Sequence, residues 1–169
     1  MSPSSFAQLL NRFYATASEA LLGHNAMIDK MVGDEVMALF ILGPTGPGYR
    51  QAAVHAAAGL MGALGYADGE PWLPVGIGVH AGLAYVGKVG TSEIHDFTAL
   101  GDTVNTAARL QAEAKPGEIV IGESLYADVA ADYPDLEQRT LTLKGKQEPV
   151  RVRVLRTGPA PVDPPTGVR

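Results

Sequence analysis

The stretch that most restricts the fold is IDKMVGDEVMALF, residues 28–40. Two apolar runs meet at Gly33-Asp34, and the spacing predicts a β-hairpin over residues 26–32 and 35–42. A hairpin leaves edges that must be paired or covered, so the rest of the chain has to supply further strands and helices. Lys30 stands four residues before Asp34, and both charges fall near the apex of an otherwise apolar element. On residue chemistry alone, Asp34 serves turn backbone and Lys30 is a solvated strand residue.

The periodicity around this hairpin predicts mixed helices and strands. Phe6, Leu9, Leu10, Phe13, Ala17, Ala20 and Leu21 recur at helical spacing over residues 5–22, with Ser2 and Pro3 as start signals and Gly23 as the stop. GPTGPG, residues 43–48, reads as loop. An alanine-rich helix follows over 49–64, ended by Gly65. In VGIGVHAG, residues 75–82, Val75, Ile77 and Val79 alternate with glycines, which predicts a strand that another element approaches closely. Residues 84–100 read as two short strands around GKVGTSEIHD. Asp102 reads as the cap of a helix over 103–113. KPGE reads as a turn, 119–121 as a strand and 124–129 as a short helix. RTLTL and VRVRVL read as a last hairpin, and residues 158–169 as a disordered Pro-rich tail. This order predicts an α+β fold, with helices packed on a mixed or antiparallel sheet.

The 169 residues, 46% hydrophobic, suffice for one core. With no cysteine, disulfides and thiolate metal sites are excluded, and a reducing, cytoplasmic setting is expected. The longest apolar run, residues 36–42, is far shorter than the roughly 20 residues of a membrane span. A net charge of -5 argues against a nucleic-acid surface, and the predicted strands carry valine, isoleucine and glycine rather than the aromatics of an RNA-binding sheet. A small phosphate ligand needs only a few placed cations.

A second stretch, FTALGDTVNTAARL, residues 97–110, runs from a strand through Gly-Asp into a helix whose Asn105 and Arg109 stand at i and i+4. That spacing puts an amide and a guanidinium on one face. The surrounding Thr103, Val104, Ala107, Ala108 and Leu110 suit close packing. Together with KMVGDEVMALF, GIGVHAG, VGKVGT and LKGKQEPVRV, this stretch closely resembles the catalytic domain of class III adenylate and guanylate cyclases. The resemblance runs from residue 2 to residue 155 through several motifs in order.

The resemblance implies a ferredoxin-like nucleotidyl cyclase fold over residues 1–157 and a set of roles. Asp34 falls where the family has one of two metal-binding aspartates, for Mg²⁺ or Mn²⁺. Lys30 matches the purine-recognising position and Thr98 its partner, a pairing that favours ATP. Asn105 matches the ribose-orienting asparagine and Arg109 the arginine that stabilises the transition state. Lys144 matches the lysine that holds the terminal phosphates, with Lys146 the nearby alternative. The implied reaction forms cyclic AMP and pyrophosphate at sites between two head-to-tail subunits, so Lys30 and Asp34 would serve opposite sites. The alternative is a non-catalytic module that binds nucleotide or a cyclase partner.

The match departs from the family at its start. The family's other metal aspartate lies on a central strand ahead of the first helix, and this chain starts at that helix. Asp29 is the sole other aspartate up to Asp34, and its context inside the second strand does not fit that role. Two-metal catalysis by these residues alone is therefore expected to be badly impaired, and the missing strand's neighbours are expected to lack a pairing partner. His80 is expected only to pack or hydrogen-bond, and Trp72 to anchor a loop.

Overall fold

The computed structural model describes residues 2–91 and 95–158. Helix α1 (Pro3–Leu22) starts where expected, with the Ser5 amide donating to the Ser2 hydroxyl oxygen and Pro3 in the first turn. Its stop falls at Gly23 as expected, without a left-handed turn at that residue. Gly23 stays right-handed at φ -59, and the left-handed residue is Asn25 at φ 57, whose short polar side chain tolerates that region.

The first hairpin joins β1 (Met27–Val32) to β2 (Glu35–Leu39) through Gly33 at φ +59. Ile28 pairs with Ala38 and Lys30 with Met37, so Asp29 is an extra residue in a β-bulge. The predicted loop at 43–48 instead begins with one helical turn, α2 (Leu42–Thr45), because Pro44 is tolerated in a first turn, where no amide donor is needed. Helix α3 (Tyr49–Ala63) follows and lies against α1. Trp72 anchors the next loop as expected: its indole N–H donates to the Ala63 carbonyl at 3.3 Å, and Arg12 stacks 3.9 Å from the ring centroid.

Strand β3 (Ile77–Val79) is shorter than the predicted 75–82. The second hairpin is β4 (Tyr85–Gly90) with β5 (His95–Leu100), and most of the turn expected between them lies outside the described residues. Helix α4 (Asp102–Glu113) leads to β6 (Glu118–Gly122), the one-turn α5 (Glu123–Tyr126), then β7 (Glu137–Leu141) and β8 (Val150–Arg156). Of the predicted tail, residues 159–169 lie outside the described residues.

Among the described residues the strands fall into three sheets. β3 runs parallel to β6, and β6, β8 and β7 continue antiparallel in the order β3-β6-β8-β7, while each hairpin forms a two-stranded ladder of its own. Val54, Met61, Ile119, Ile121 and Leu125 pack α3 and α5 onto the main sheet, and Phe13, Ala17, Ala56 and Leu60 join α1 to α3. Between β2 and β3 lies a cleft of about 530 Å³, with Val36 and Ala38 on one wall and Ile77 and Val79 on the other. Among the described residues β2 has only β1 as ladder partner and β3 only β6, so the sheet is interrupted where the resemblance places a central strand. No helix among the described residues is long and apolar enough to cross a membrane.

The expected close approach to the glycine strand is made by α4. A methyl on Gly78 would fall 2.5 Å from the Ala107 carbonyl and closer still to the Gln111 amide, and one on Gly76 would fall 2.5 Å from the Ala114 carbonyl. Backbone atoms cannot yield as a side chain can, so Gly78→Ala is expected to cost at least about 2 kcal/mol in urea unfolding.

At the far edge, buried Glu118 ties three strands. Its carboxylate accepts two bonds from Arg139 at 2.9 and 2.6 Å, one from Arg156 at 2.8 Å, and one from the Lys115 amide at 3.1 Å. The Arg139 fork, against the opposing effect of burial, holds the Glu118 pKa down at about 2. A depressed carboxylate stabilises the fold above its unfolded pKa near 4.5 and loses that contribution as pH falls through about 2. Roughly 3 kcal/mol is at stake. Denaturant titrations should show Glu118→Gln destabilised at pH 7, with the gap to the parent chain closing between about pH 4.5 and pH 2.

Candidate functional site

Helix α4 has two working faces. Thr103, Val104, Ala107, Ala108 and Gln111 line the cleft, while Asn105 and Arg109 stand on the face turned away from it. The small residues let the helix lie against Gly76 and Gly78. Their spacing therefore fixes where the opposite face presents its amide and guanidinium.

The LKGK turn lies beside that second face. Gly145, at φ +78, sits so close to Arg109 that a methyl there would fall 3.3 Å from Nη2. Lys146, a quarter exposed, donates to the Asp102 carboxylate at 2.5 Å, and Lys144 is exposed. Of the two candidate phosphate lysines, the turn thus sets Lys146 into the group around α4.

Asp102 is not the helix cap expected from sequence. Gly101 at φ +134 holds the cap position without a side-chain bond, and Asp102 is the first helical residue. Its carboxylate goes to Lys146, whose hydrogen bond lowers the Asp102 pKa, and a negative charge in a first turn also suits the helix dipole. His80 packs over Gly122 with Nδ1 buried and without a hydrogen-bond partner. Burial first, and then the Lys146 charge, push its pKa down, so His80 is a neutral packing group beside Lys146. The expectation for His80 holds in its packing part.

Asp29 ties Thr98 to the strand that carries Lys30. The Thr98 hydroxyl, buried at 3% exposure on β5, donates to Asp29 Oδ2 at 2.8 Å, and Asp29 immediately precedes exposed Lys30 on β1. Asp29 Oδ1 is buried without a partner. Sequence reasoning set Asp29 aside because its context inside the second strand does not fit a metal ligand, and plain strand alternation gives it no special direction. The bulge supplies that direction, and a one-residue bulge leaves no residue-type signature in IDKM.

Asp34 stands at the other end of the hairpin, exposed, and lines the cleft together with Glu35. It does not share the Asn105 and Arg109 face of α4. Among the described residues no group of three or more His, Cys, Asp or Glu side chains is placed to hold a metal ion. Asp34 with its neighbour does not fit a two-ion site. The second hairpin also exposes Leu83 just before β4 and Tyr85, Phe97 and Leu100 within it, large apolar side chains on the element that carries Thr98.

Comparison with known proteins gives the family and the fold. The family described as adenylate and guanylate cyclase catalytic domain matches residues 1–155. An adenylate cyclase of Anabaena cylindrica is 31% identical over 167 residues, covering 90% of this chain and 32% of that protein. The terminal-differentiation-specific adenylate cyclase of Dictyostelium discoideum is 30% identical over 154 residues, covering 85% of this chain and 7% of that protein. The chain thus spans about a third or less of the length of these relatives. Among solved structures, the guanylyl cyclase Cya2 superposes with a TM-score of 0.82 at 23% identity, covering 96% of this chain and 86% of that one. The adenylyl cyclase CyaB from P. aeruginosa superposes at 0.76 and 27% identity, covering 92% and 84%. With the family matched over residues 1–155 and the fold matched along nearly the whole length, this chain belongs to the family of adenylate and guanylate cyclase catalytic domains.

Proposed function

We propose that the chain is the catalytic domain of an adenylate cyclase, forming 3',5'-cyclic AMP and pyrophosphate from ATP at sites shared by two head-to-tail copies. The observation that carries this reading is the division of α4. Asp34 borders the cleft on one side, and Asn105 and Arg109 project from the other, so one copy does not gather them around one triphosphate. A second copy turned by a two-fold axis supplies what the first lacks. The exposed Leu83, Tyr85, Phe97 and Leu100 offer the apolar surface such a pairing would bury.

In that arrangement the 3'-hydroxyl of ribose attacks the α-phosphorus in line and pyrophosphate leaves. The Lys30 ammonium donates to a ring nitrogen of the purine, and the Thr98 oxygen accepts from the exocyclic amine. Asn105 orients the ribose. Arg109 offsets charge growing on the α-phosphoryl oxygens, a fixed guanidinium being worth about 10² to 10³ in rate by analogy with an oxyanion donor. Lys146 or Lys144 holds the terminal phosphates.

Members of the family use divalent metal ions, and a carboxylate such as Asp34 suits Mg²⁺ or Mn²⁺. Asp34 alone is short of the two-ion requirement, and that observation favours a second reading, a module that binds nucleotide or a cyclase partner without turnover.

The test is cyclic AMP formation from ATP with Mn²⁺. Arg109→Ala should lose about 10² to 10³ in kcat. Mixing Arg109→Ala with Asp34→Ala chains, each inactive, should restore about a quarter of parental activity, since half of random pairs are mixed and each holds one intact site of two. Absence of recovery overturns the shared site. ATP binding without any product, in the parent chain, would decide for the second reading. Phe97→Asp with Leu100→Asp should convert a dimer to a monomer in sedimentation, and an unchanged mass would show that the pairing uses another face.

A further inference from the structure

The bulge in β1 serves a purpose that neither Lys30 nor Thr98 explains. Asp29 is inserted between Ile28 and Lys30 in the ladder, and its carboxylate reaches across to a different sheet. There it takes the hydrogen of Thr98 at 2.8 Å. Thr98 is almost wholly buried, and the residue opposite it on β4 is Gly87, over which the Tyr85 ring lies with its hydroxyl donating to the Lys88 carbonyl. A hydroxyl has one hydrogen and two lone pairs. With the hydrogen committed to a carboxylate, whose bonds are the stronger kind, Thr98 is left able only to accept. The other carboxylate oxygen, Oδ1, is buried and unpartnered, a cost of the sort that a bound donor would relieve.

We propose that Asp29 is a positioning residue for base selection: by holding the Thr98 hydrogen it makes the pocket acceptor-only at this point, matching the 6-amino group of adenine and rejecting the 6-carbonyl of guanine. This rests on the base-reading roles proposed above for Lys30 and Thr98. In that reading exposed Lys30, one residue on from Asp29, supplies the donor that goes with this acceptor, and adenine shows the complementary order, amine donor next to ring-nitrogen acceptor. Without Asp29 the Thr98 hydroxyl turns freely and donates as readily as it accepts, so the barrier against a carbonyl falls.

The test is a ratio taken within each protein. The affinities for ATP and GTP are measured with Mn²⁺ by displacement of a fluorescent ATP analogue, for the parent chain, Asp29→Ala, Asp29→Asn, Thr98→Ala and the double Asp29→Ala/Thr98→Ala. The parent should prefer ATP. Asp29→Ala should shrink that preference about tenfold, through tighter GTP as well as weaker ATP binding. Asp29→Asn keeps an acceptor of the same shape and should keep most of the preference. The double variant should discriminate no worse than Thr98→Ala, because the two residues act as one unit. The inference is overturned if Asp29→Ala weakens both nucleotides equally, if Asp29→Asn loses the preference as fully as Asp29→Ala, or if the double variant adds the two losses. A parent chain that binds neither nucleotide, or prefers GTP, removes the base-reading roles and this inference with them. A parent that prefers ATP while Asp29→Ala does so equally removes only the inference.

Discussion

Helix α4 lies against the backbone of β3 with no room for a side chain between them. The contact at Gly76 and Gly78 is what the site depends on, because α4 carries groups for two surfaces at once. Its small face, Thr103, Ala107 and Gln111, seats it on the strand and borders the cleft, and the 3.6-residue period then turns Asn105 and Arg109 to the opposite side. A strand with side chains on that face would hold the helix further off. The guanidinium would then move away from the LKGK turn, where Gly145 leaves it just enough space.

The electrostatics are local rather than global. The chain is acidic overall, and most of its described arginines are spent on structure: Arg139 and Arg156 on Glu118, Arg153 on Glu123, Arg50 on Asp128. Around α4 the balance differs. Arg109 and Lys146 stand near one another with Asp102 as the counter-charge, and His80 beside them is kept neutral by burial. Asp102 thus keeps an ammonium close to the helix start in the absence of any other anion. A phosphate would compete for the same lysine.

Much of this fold could be read from periodicity. The long apolar period of α1, the Gly-Asp hairpin, the alanine face of α3 and the valine alternation of β8 are each strong repeating signals, and the glycine alternation of residues 75–82 foretold an approach that α4 makes. The misses share a cause, which is that a polar residue's local role was inferred without its distant partner. Asp102 has the right type and place for a cap, yet Lys146 claims it from 44 residues away. Asp29 looked like an ordinary strand residue, yet Thr98 claims it from 69 residues away. The stop of α1 at Gly23 was legible, and the left-handed residue falls two positions on, at Asn25. Asn105 and Arg109 were legible as a pair because helical spacing is local, whereas the group around Lys146 required the folded LKGK turn.

Among the described residues the two hairpins have no hydrogen-bonded ladder in common with the four-stranded sheet or with each other. The bond between Thr98 and Asp29 is therefore a side-chain latch between two stiff ribbons, not a link in a continuous fabric. The first ribbon is braced by α1 and α3, whose buried cluster takes in Ile28, Val36 and Ala38, whereas the second leaves Phe97 and Leu100 exposed. The strands that carry Lys30 and Thr98 are thus tied to each other through a side chain, while the carboxylate of Glu118 clasps a separate sheet.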